Sequence, residues 1–434
     1  MTVTADITAL NPPASKEWRR YGMLPFVAGL GYATSVIHIY GLGPYIEPIQ
    51  EAFGWSRVQA TSGLTVATVI NAVFCIAIGM LVDRVGPRLL GLIGVLLTTA
   101  AFAMLGTATG AEGNWYLLWA VMAFATLPVQ ATVWTSAVAS RFTTSRGMAL
   151  AVTLSGASLA ATVFPVLATG LIDSYGWRTA FALEGGIWAA ITFPMLCIFF
   201  RGVHDEKPTD DRAAAVRLSP LVGMSTAEAF RSLVFVRLFV ASMLFTFTII
   251  ALVVHFIPIL TNAGSERLAA ASVASLVGVS SVVGRLGTGY LLDHFRASRV
   301  GAVIFLLPIL ACAVLVLAGA SPLAQSGAAI VIGLTLGSEI DVIVYLTTKH
   351  FGLKNFGAVY GGLLTALSIG TASGPISAAA VYDHSGSYTP FLLLTIVCMV
   401  FSSLALASLP PPKYSGEAPI AGSSAHDEVT KEEK

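Results

Sequence analysis

The feature that most restricts the fold of this 434-residue chain is a series of twelve apolar segments separated by short polar loops. A bilayer core is crossed by about 20 residues of helix. The whole chain is 56% hydrophobic and only 11% charged, unlike a soluble domain. The sequence therefore predicts an all-α membrane protein with twelve transmembrane helices, here called spans one to twelve. The predicted spans are 24–46, 58–81, 89–109, 114–138, 147–171, 178–200, 235–261, 268–292, 299–319, 325–348, 356–381 and 389–409.

Basic residues are distributed unevenly between the two ends of the predicted spans. When both termini are placed in the cytoplasm, the loops on the outer side of the membrane carry Arg57, Arg178 and Arg267. Arg285 lies within span eight. Every other lysine and arginine falls on the cytoplasmic side, as the positive-inside rule requires. These residues are scattered over separate segments, so they do not indicate nucleic-acid binding. The sequence predicts a multi-pass protein of the plasma membrane, and its short tails and alanine-rich spans favour a bacterial inner membrane.

The longest polar interruption separates six spans from six. The predicted domains are an N-terminal half (1–200), a cytoplasmic linker (201–234), a C-terminal half (235–409) and a disordered cytoplasmic tail (410–434). The halves repeat at an offset of 210 residues, because glycines, prolines and aspartates recur at equivalent positions. The matched pairs include Gly79 with Gly289, Asp83 with Asp293, Gly147 with Gly357, and Pro165 with Pro375. Several matches at one offset indicate a duplication.

The loop between spans two and three, "GMLVDRVGPR" at 79–88, resembles the signature loop of the major facilitator superfamily. That resemblance implies the major facilitator fold, with two six-helix pseudo-repeats and a substrate site between them. Glycines allow close helix approach and a tight turn, and the aspartate lies where a helix end and a neighbouring arginine can pair with it. Because His294 follows the aspartate of the second copy, a weaker second contact is predicted. The candidate conformational latch comprises Gly79, Asp83, Arg84, Gly86, Arg88 and Asp293.

Further stretches resemble the monocarboxylate porter branch of that superfamily, which includes bacterial organic-acid carriers. They are "FGWSR" at 53–57, "SRFTTSRGMAL" at 140–150, "YGWR" at 175–178, "EIDVIVYLTTKHFG" at 339–352 and "DHSGSY" at 383–388. In that branch an arginine of span eight binds the substrate anion, which implies this role for Arg285. Human-type members carry an aspartate four residues earlier, where this chain has Ser281. Drug–proton antiporters have a Gly-Pro motif in span five, but Phe164 precedes Pro165 here.

The position of Arg285 is itself informative, because it is predicted roughly 10 Å inside the cytoplasmic boundary of span eight. A charge at that depth costs several kcal/mol unless it faces a cavity or a partner. Its planar guanidinium suits a substrate carboxylate better than a lysine does. The alternative is a structural ion pair, or a side chain that reaches back to the boundary.

Two carboxylates of span ten, Glu339 and Asp341, are predicted near the depth of Arg285 and are the candidate proton-coupling groups. No other acidic residue is predicted deep within a span. Unpaired carboxylates do not stay ionised in hydrocarbon. Because they are two residues apart in a helix, the side chains point to nearly opposite faces. Asp341 is assigned to the cavity and Glu339 to the interior of the second half, and the alternative is that both only brace helices.

Three more residues are candidates for substrate binding. His38 lies mid-way along span one and titrates near neutral pH, although buried packing is an equal alternative. Gln130 in span four is a neutral hydrogen-bond donor, and Tyr345 shares a polar stripe with Asp341. The chain has no phosphate-binding loop, HExxH motif or Cys/His spacing typical of metal sites. No cofactor, no metal and no enzymatic activity are therefore predicted.

The sequence predicts a secondary transporter that moves a small organic monocarboxylate by alternating access. If protonation of a carboxylate frees Arg285, transport is a proton symport. An anion exchanger without proton coupling and a transporter-like membrane sensor are the open alternatives. A single cationic group within the spans favours a monoanion. The particular acid, the coupling ion, the direction and the oligomeric state do not follow from the sequence, with which a monomer is compatible.

Overall fold

The computed structural model describes residues 13–202 and 222–414, which are helical apart from turns and an isolated β-bridge between Gly223 and Gly352. Twelve helical passes occupy the places of the predicted spans. Spans one to six are Met23–Ser35 with Ile37–Tyr40, Arg57–Val85, Pro87–Met104, Glu112–Thr126 with Ala131–Arg141, Arg146–Leu154 with Gly156–Tyr175, and Trp177–Phe199. Spans seven to twelve are Leu233–Asn262, Arg267–His294, Ala297–Ala318, Pro322–Phe351, Phe356–Ser385 and Thr389–Ala407.

When only the described residues are counted, ten of these passes are long and apolar enough to cross a membrane. Spans one and eight are not among the ten. Span one is interrupted at Val36, where φ is −114°, and its second piece ends at Tyr40. The rest of the predicted span 24–46 contains a short 3-10 helix, Gly43–Tyr45. A short helix, Ile46–Phe53, follows before span two. Span eight is a continuous helix of 28 residues, which is long enough to cross a bilayer core.

The predicted linker is described only in part, since 203–221 lie outside the described residues. Its last part forms the short helix Thr226–Arg231, which begins with a capping box. Gly223 pairs with Gly352 at the end of span ten, so this part of the linker is attached to the last six spans. Of the predicted disordered tail, 415–434 lie outside the described residues.

The two sets of six spans meet along two helix pairs. Span two packs along span eleven, and the first part of span five packs along span eight. Glycines permit these contacts: a Cβ on Gly79 would overlap the carbonyl of Gly357, and a Cβ on Gly147 would overlap the carbonyl of Gly289. The four glycines are related by the repeat that the sequence predicts, so the two contacts are equivalent.

The surface helix Ala14–Tyr21 is fixed to the bundle by a buried carboxylate. Glu17 is 2% exposed and accepts backbone N–H groups of Thr143, Thr144 and Ser145 at 2.9–3.0 Å. It also accepts the hydroxyls of Thr143 and Ser145. Burial alone raises the pKa of Glu17, but these hydrogen bonds outweigh burial and hold the pKa below its usual value. The ionised carboxylate therefore caps the start of span five.

We expect Glu17→Gln to lower the midpoint of thermal unfolding by a few degrees, because a neutral amide replaces an acceptor of several hydrogen bonds, worth about 1–3 kcal/mol. The folded pKa lies below the usual 4.5, so the stabilisation is present above pH 4.5 and is lost as pH falls through the folded pKa. The difference between wild type and variant should therefore shrink on acidification. Unfolding in detergent from neutral to acidic pH measures it. Glu51→Gln, at an exposed carboxylate, is the control, and a pH-independent difference would contradict the assignment.

Candidate functional site

Arg285 in span eight and Asp341 in span ten form a buried ion pair. Nη1 of Arg285 lies 3.3 Å from Oδ2 of Asp341, and the two residues are 7% and 1% exposed. Spans eight and ten approach closely, because a Cβ on Gly284 or Gly337 would overlap the backbone of the other span. The guanidinium thus has a partner within the bundle and does not reach back to the membrane boundary.

This ion pair leaves part of its hydrogen-bonding capacity unused. Among the residues that the structure describes, neither Nε of Arg285 nor Oδ1 of Asp341 has a hydrogen-bond partner. A buried pair recovers its desolvation cost only when its remaining donors and acceptors are also satisfied. The geometry therefore favours a change of partners: a proton can neutralise Asp341, and a second anion can occupy Arg285.

Three tyrosines lie within range of electrostatic interaction with Arg285. Tyr32 and Tyr40 come from span one, and Tyr360 comes from span eleven. Tyr360 is 0% exposed, and in 13–202 and 222–414 its hydroxyl finds no hydrogen-bond partner. Both sets of six spans therefore contribute to the surroundings of the pair. None of these three tyrosines was predicted from the sequence as a substrate contact.

Glu339 faces away from the pair, as its position two residues from Asp341 predicts. Its carboxylate accepts a hydrogen bond from the hydroxyl of Thr246 in span seven, and it is 4% exposed. Glu339 is within electrostatic range of Arg285, but the hydrogen-bonded partner of the guanidinium is Asp341. The two carboxylates thus have different surroundings within the last six spans.

The other three predicted substrate-binding residues have contacts of their own. His38 is 4% exposed, and its ring faces Trp119 with centroids 6.1 Å apart. Gln130 donates from Nε2 to Oδ1 of Asn71 at 3.1 Å. Tyr345 lies beneath the ammonium group of Lys349, 5.4 Å from the ring centroid. In the described part of the chain, no hydrogen bond or ring contact joins any of the three to Arg285 or Asp341, and their roles as substrate contacts stay predictions.

Sequence analysis also overlooked a third buried carboxylate, so the prediction of only two deep acidic residues is wrong. Glu184 in span six is 0% exposed, and its Oε2 accepts the hydroxyl of Tyr45 at 2.8 Å. Tyr45 in turn stacks on Phe181. The signal was present, since Glu184 interrupts the apolar stretch "FALEGGIWAA" at 181–190. This carboxylate joins span one to span six.

Two aspartates connect the sets of spans at the end of the bundle that carries Arg84, Arg141, Arg146 and Lys349, here called the basic end. Each aspartate accepts two backbone N–H groups from the start of a span in the other set. Asp83 accepts those of Gly357 and Ala358 at 2.9 and 3.0 Å, and Asp293 accepts those of Gly147 and Met148 at 2.6 and 2.9 Å. We call these the first and the second latch; together they close the basic end.

The predicted arginine partner of Asp83 is not used. Arg84 is exposed, and Arg88 donates to the carbonyl of Cys197 at 2.9 Å. Gly86 has a φ of +88°, which permits the predicted turn. His294 stacks on Tyr290 outside the second latch. Both latches depend on backbone N–H groups rather than on a side chain, and a weaker second latch stays a prediction.

We expect Asp83→Asn and Asp293→Asn to open the basic end by similar amounts, because each replaces a charge-assisted pair of hydrogen bonds worth about 1.5–3 kcal/mol. Cys75, which is 5% exposed and whose carbonyl lies against Gly361 of span eleven, is a native reporter. Its alkylation by a water-soluble maleimide, followed by mass spectrometry, should be faster in both variants. Arg84→Gln is the control and should alkylate at the wild-type rate. An effect confined to one aspartate would show that the latches are not equivalent.

Comparisons with protein families and with known proteins point to the same family. The family model of the Major Facilitator Superfamily matches residues 28–361. The transporter asaE of Aspergillus flavus is 25% identical over 271 residues, 61% of this chain and 58% of that protein. Monocarboxylate transporter 12 of Mus musculus is 23% identical over 296 residues, 62% of this chain and 60% of that protein. This chain therefore spans about three fifths of the length of these two relatives.

Comparison with solved structures concerns the fold alone. A variant of the fucose:proton symporter FucP of E. coli superposes with a TM-score of 0.67. The alignment covers 91% of this chain and 100% of FucP, at 16% sequence identity. The helical arrangement described above is thus the one that FucP adopts.

Proposed function

Since this chain belongs to the Major Facilitator Superfamily and is a transporter rather than an enzyme, we propose that it carries a small organic monocarboxylate together with one proton. The observation that carries this proposal is the incompletely hydrogen-bonded pair of Arg285 and Asp341. The name of the mouse relative, a monocarboxylate transporter, agrees with this substrate class.

The charges of the pair support a monoanion as substrate. Arg285 and an ionised Asp341 together carry no net charge, so the empty site attracts no anion. A proton on Asp341 leaves the guanidinium as the only local charge, and a substrate carboxylate then restores neutrality. A charge buried without a partner is unfavourable by several kcal/mol, so proton and substrate bind together. The loaded and empty sites are both neutral, and the transport cycle moves no net charge.

The guanidinium of Arg285 is suited to binding the substrate carboxylate. Its planar fork can hold a carboxylate through two parallel N–H donors. Nε of Arg285 is without a partner within the described ranges, and it is one member of such a fork. The unpaired hydroxyl of Tyr360 and the nearby Tyr32 are further hydrogen-bond donors for the rest of a small acid.

Asp341 is favoured over Glu339 as the proton carrier. A carboxylate that responds to the substrate has to interact with the group that binds it, and Asp341 contacts Arg285 directly. Glu339 is bonded to Thr246 within the last six spans, which suits a carboxyl group that braces two helices. His38, Gln130 and Tyr345 have no contact with this pair in the present conformation, and they remain predictions as substrate contacts.

The orientation follows from the distribution of charge. The basic end carries both latches and faces the cytoplasm under the positive-inside rule, with both termini on that side. Closure of this end by two aspartates corresponds to an outward-facing or occluded state of the alternating-access cycle. The proposed setting is the plasma membrane, and for this composition the bacterial inner membrane.

Uptake of labelled lactate, pyruvate or formate into proteoliposomes tests the proposal. An inward proton gradient should drive accumulation above the equilibrium level, and dissipating the gradient should abolish it. Protein-free liposomes control for passive diffusion of the neutral acid. Accumulation driven only by an opposite gradient of another organic anion would favour the exchanger, whereas binding without counterflow would indicate a membrane sensor.

A further inference from the structure

A cavity of about 250 Å³ adjoins the second latch at the basic end. It lies between the end of span eight, the start of span nine and the end of span ten. Its polar lining residues are Asp293, His294, Arg296, Ser298, Tyr345, Lys349 and His350. Apart from Asp293, which belongs to the second latch, none of these residues was assigned a role at this end of the bundle by the sequence, and the proposed carboxylate site is centred on Arg285.

The start of span nine supplies uncapped N–H groups to this cavity. The helix runs from Ala297 to Ala318, and the side chain of its N-cap residue, Arg296, makes no capping hydrogen bond. The first N–H groups that find a helical acceptor are those of Arg299 and Val300, which bond to the carbonyl of Arg296. The preceding N–H groups belong to Ala297 and Ser298, and both residues line the cavity. Such a helix start carries a partial positive charge and attracts anions.

The basic side chains around the cavity, of which His350 is buried, provide an independent indication of an anionic ligand. His350 is only 4% exposed and lines the cavity, yet its ring has no hydrogen-bond partner within 13–202 and 222–414. Lys349 and Arg296 also line the cavity, and neither forms an ion pair with another described residue. Asp293 is the only carboxylate of the lining, and its oxygens already accept two N–H groups in the second latch. The basic groups therefore exceed the acceptors available to them.

We propose that this cavity binds a phosphate group. The uncapped N–H groups of span nine face the phosphate oxygens, Lys349 and Arg296 neutralise its charge, and the neutral ring of His350 donates an N–H. Free inorganic phosphate and the headgroup of an anionic phospholipid share this chemistry. The cavity lies at the end of the bundle that is proposed to face the cytoplasm, where both are accessible.

The bound phosphate stabilises the closed basic end. Lys349 in the last six spans is within electrostatic range of Arg146 in the first six, and of Asp293. Two like charges approach each other from opposite sides of the interface when the latches close. A phosphate beside Lys349 offsets this repulsion, and it is released more readily when the basic end opens. The site is therefore regulatory, and it does not depend on which substrate the transporter carries.

Thermal unfolding of the purified full-length chain in neutral detergent tests the free-phosphate source. Inorganic phosphate should raise the unfolding midpoint by about 2–4 °C over chloride at equal ionic strength, as expected for a ligand well above its dissociation constant. The same phosphate should slow alkylation of Cys75. Lys349→Gln should lose both effects, whereas Lys354→Gln, at an exposed lysine of the same end, should keep them.

The lipid source is tested in nanodiscs made of phosphatidylcholine alone or mixed with phosphatidylglycerol, without free phosphate. A response to phosphate in detergent assigns the site to the free ion, and a response only to phosphatidylglycerol assigns it to a headgroup. The proposal is overturned when neither raises the midpoint, or when Lys349→Gln and Lys354→Gln respond equally. If Lys349→Gln does not fold, Arg296→Gln, at an exposed lining residue, serves in its place.

Discussion

Arg285→Gln is expected to abolish proton-driven accumulation of monocarboxylates, because the variant has no cation to hold the substrate. Loss of one member of a buried charge pair costs about 2–5 kcal/mol. At about 1.4 kcal/mol per factor of ten, this corresponds to at least a 30-fold loss in apparent affinity. Arg285→Lys keeps the charge but not the planar fork, so a smaller loss, about tenfold, is expected. Initial rates of labelled uptake at several substrate concentrations measure both variants.

Arg299→Gln is the matched control for this prediction, because Arg299 is exposed at the basic end. It should transport at the wild-type rate, which separates loss of the binding group from a general effect of removing an arginine. Thermal unfolding of each variant establishes that the protein is folded. Wild-type uptake by a folded Arg285→Gln variant would make Arg285 a structural member of the ion pair and refute the proposed substrate site.

Asp341→Asn is expected to separate exchange from proton-driven transport. Asparagine has nearly the same shape as a protonated aspartate, so the variant holds Arg285 permanently free of its carboxylate partner. It should bind substrate without a proton and exchange labelled for unlabelled acid across the membrane. It should not accumulate substrate in response to a proton gradient. Because the unloaded site then carries an uncompensated charge, its return step should be slowed, and net transport should fall by at least tenfold.

Glu339→Gln is the control for Asp341→Asn, since it removes a second buried carboxylate two residues away. An amide oxygen can still accept the hydrogen bond of Thr246, so gradient-driven accumulation should persist. The opposite result, with coupling lost in Glu339→Gln and kept in Asp341→Asn, would assign the proton to Glu339. Loss of coupling in both variants would indicate that the two carboxylates titrate as one unit.

Hydropathy predicted the all-helical fold correctly, because a polar backbone group in lipid has to be bonded within its own helix. The departures from that pattern are local. The interruption of span one at Val36 has no proline or charge to signal it, and it arises where the chain turns toward Tyr45 and Glu184. Span eight carries Arg285 within an otherwise apolar stretch, so the arginine itself marks the candidate site.

The ion pair shows which features of the site helical periodicity predicts and which it does not. The depth of Arg285 and the opposite faces of Glu339 and Asp341 follow from residue numbers, and together they indicated which carboxylate meets the guanidinium. Residue numbers do not give the rotation of one helix relative to another. For this reason Tyr360 and Tyr40 were not identified beside Arg285.

The latches show a different reason for partial success. The repeat offset predicted the two aspartates and the glycines that they approach. The sequence suggested a helix end and a neighbouring arginine as partners of Asp83, and the observed partners are backbone N–H groups of Gly357 and Ala358 at the start of span eleven. Residue identity does not show which of the two partners is used. His294 suggested a weaker second latch, and its ring lies within hydrogen-bond distance of the carbonyl of Tyr290.

The most direct test of proton coupling is the proton flux that accompanies monocarboxylate uptake. Lightly buffered proteoliposomes with a pH indicator inside are mixed with lactate, with no initial pH gradient and with the membrane potential set by potassium and valinomycin. We expect one proton to enter with each lactate, at a rate that does not depend on the membrane potential, and no proton flux in Asp341→Asn. Lactate uptake by the wild type without proton flux, or uptake that depends on the potential, would contradict the exchange of partners between Arg285 and Asp341.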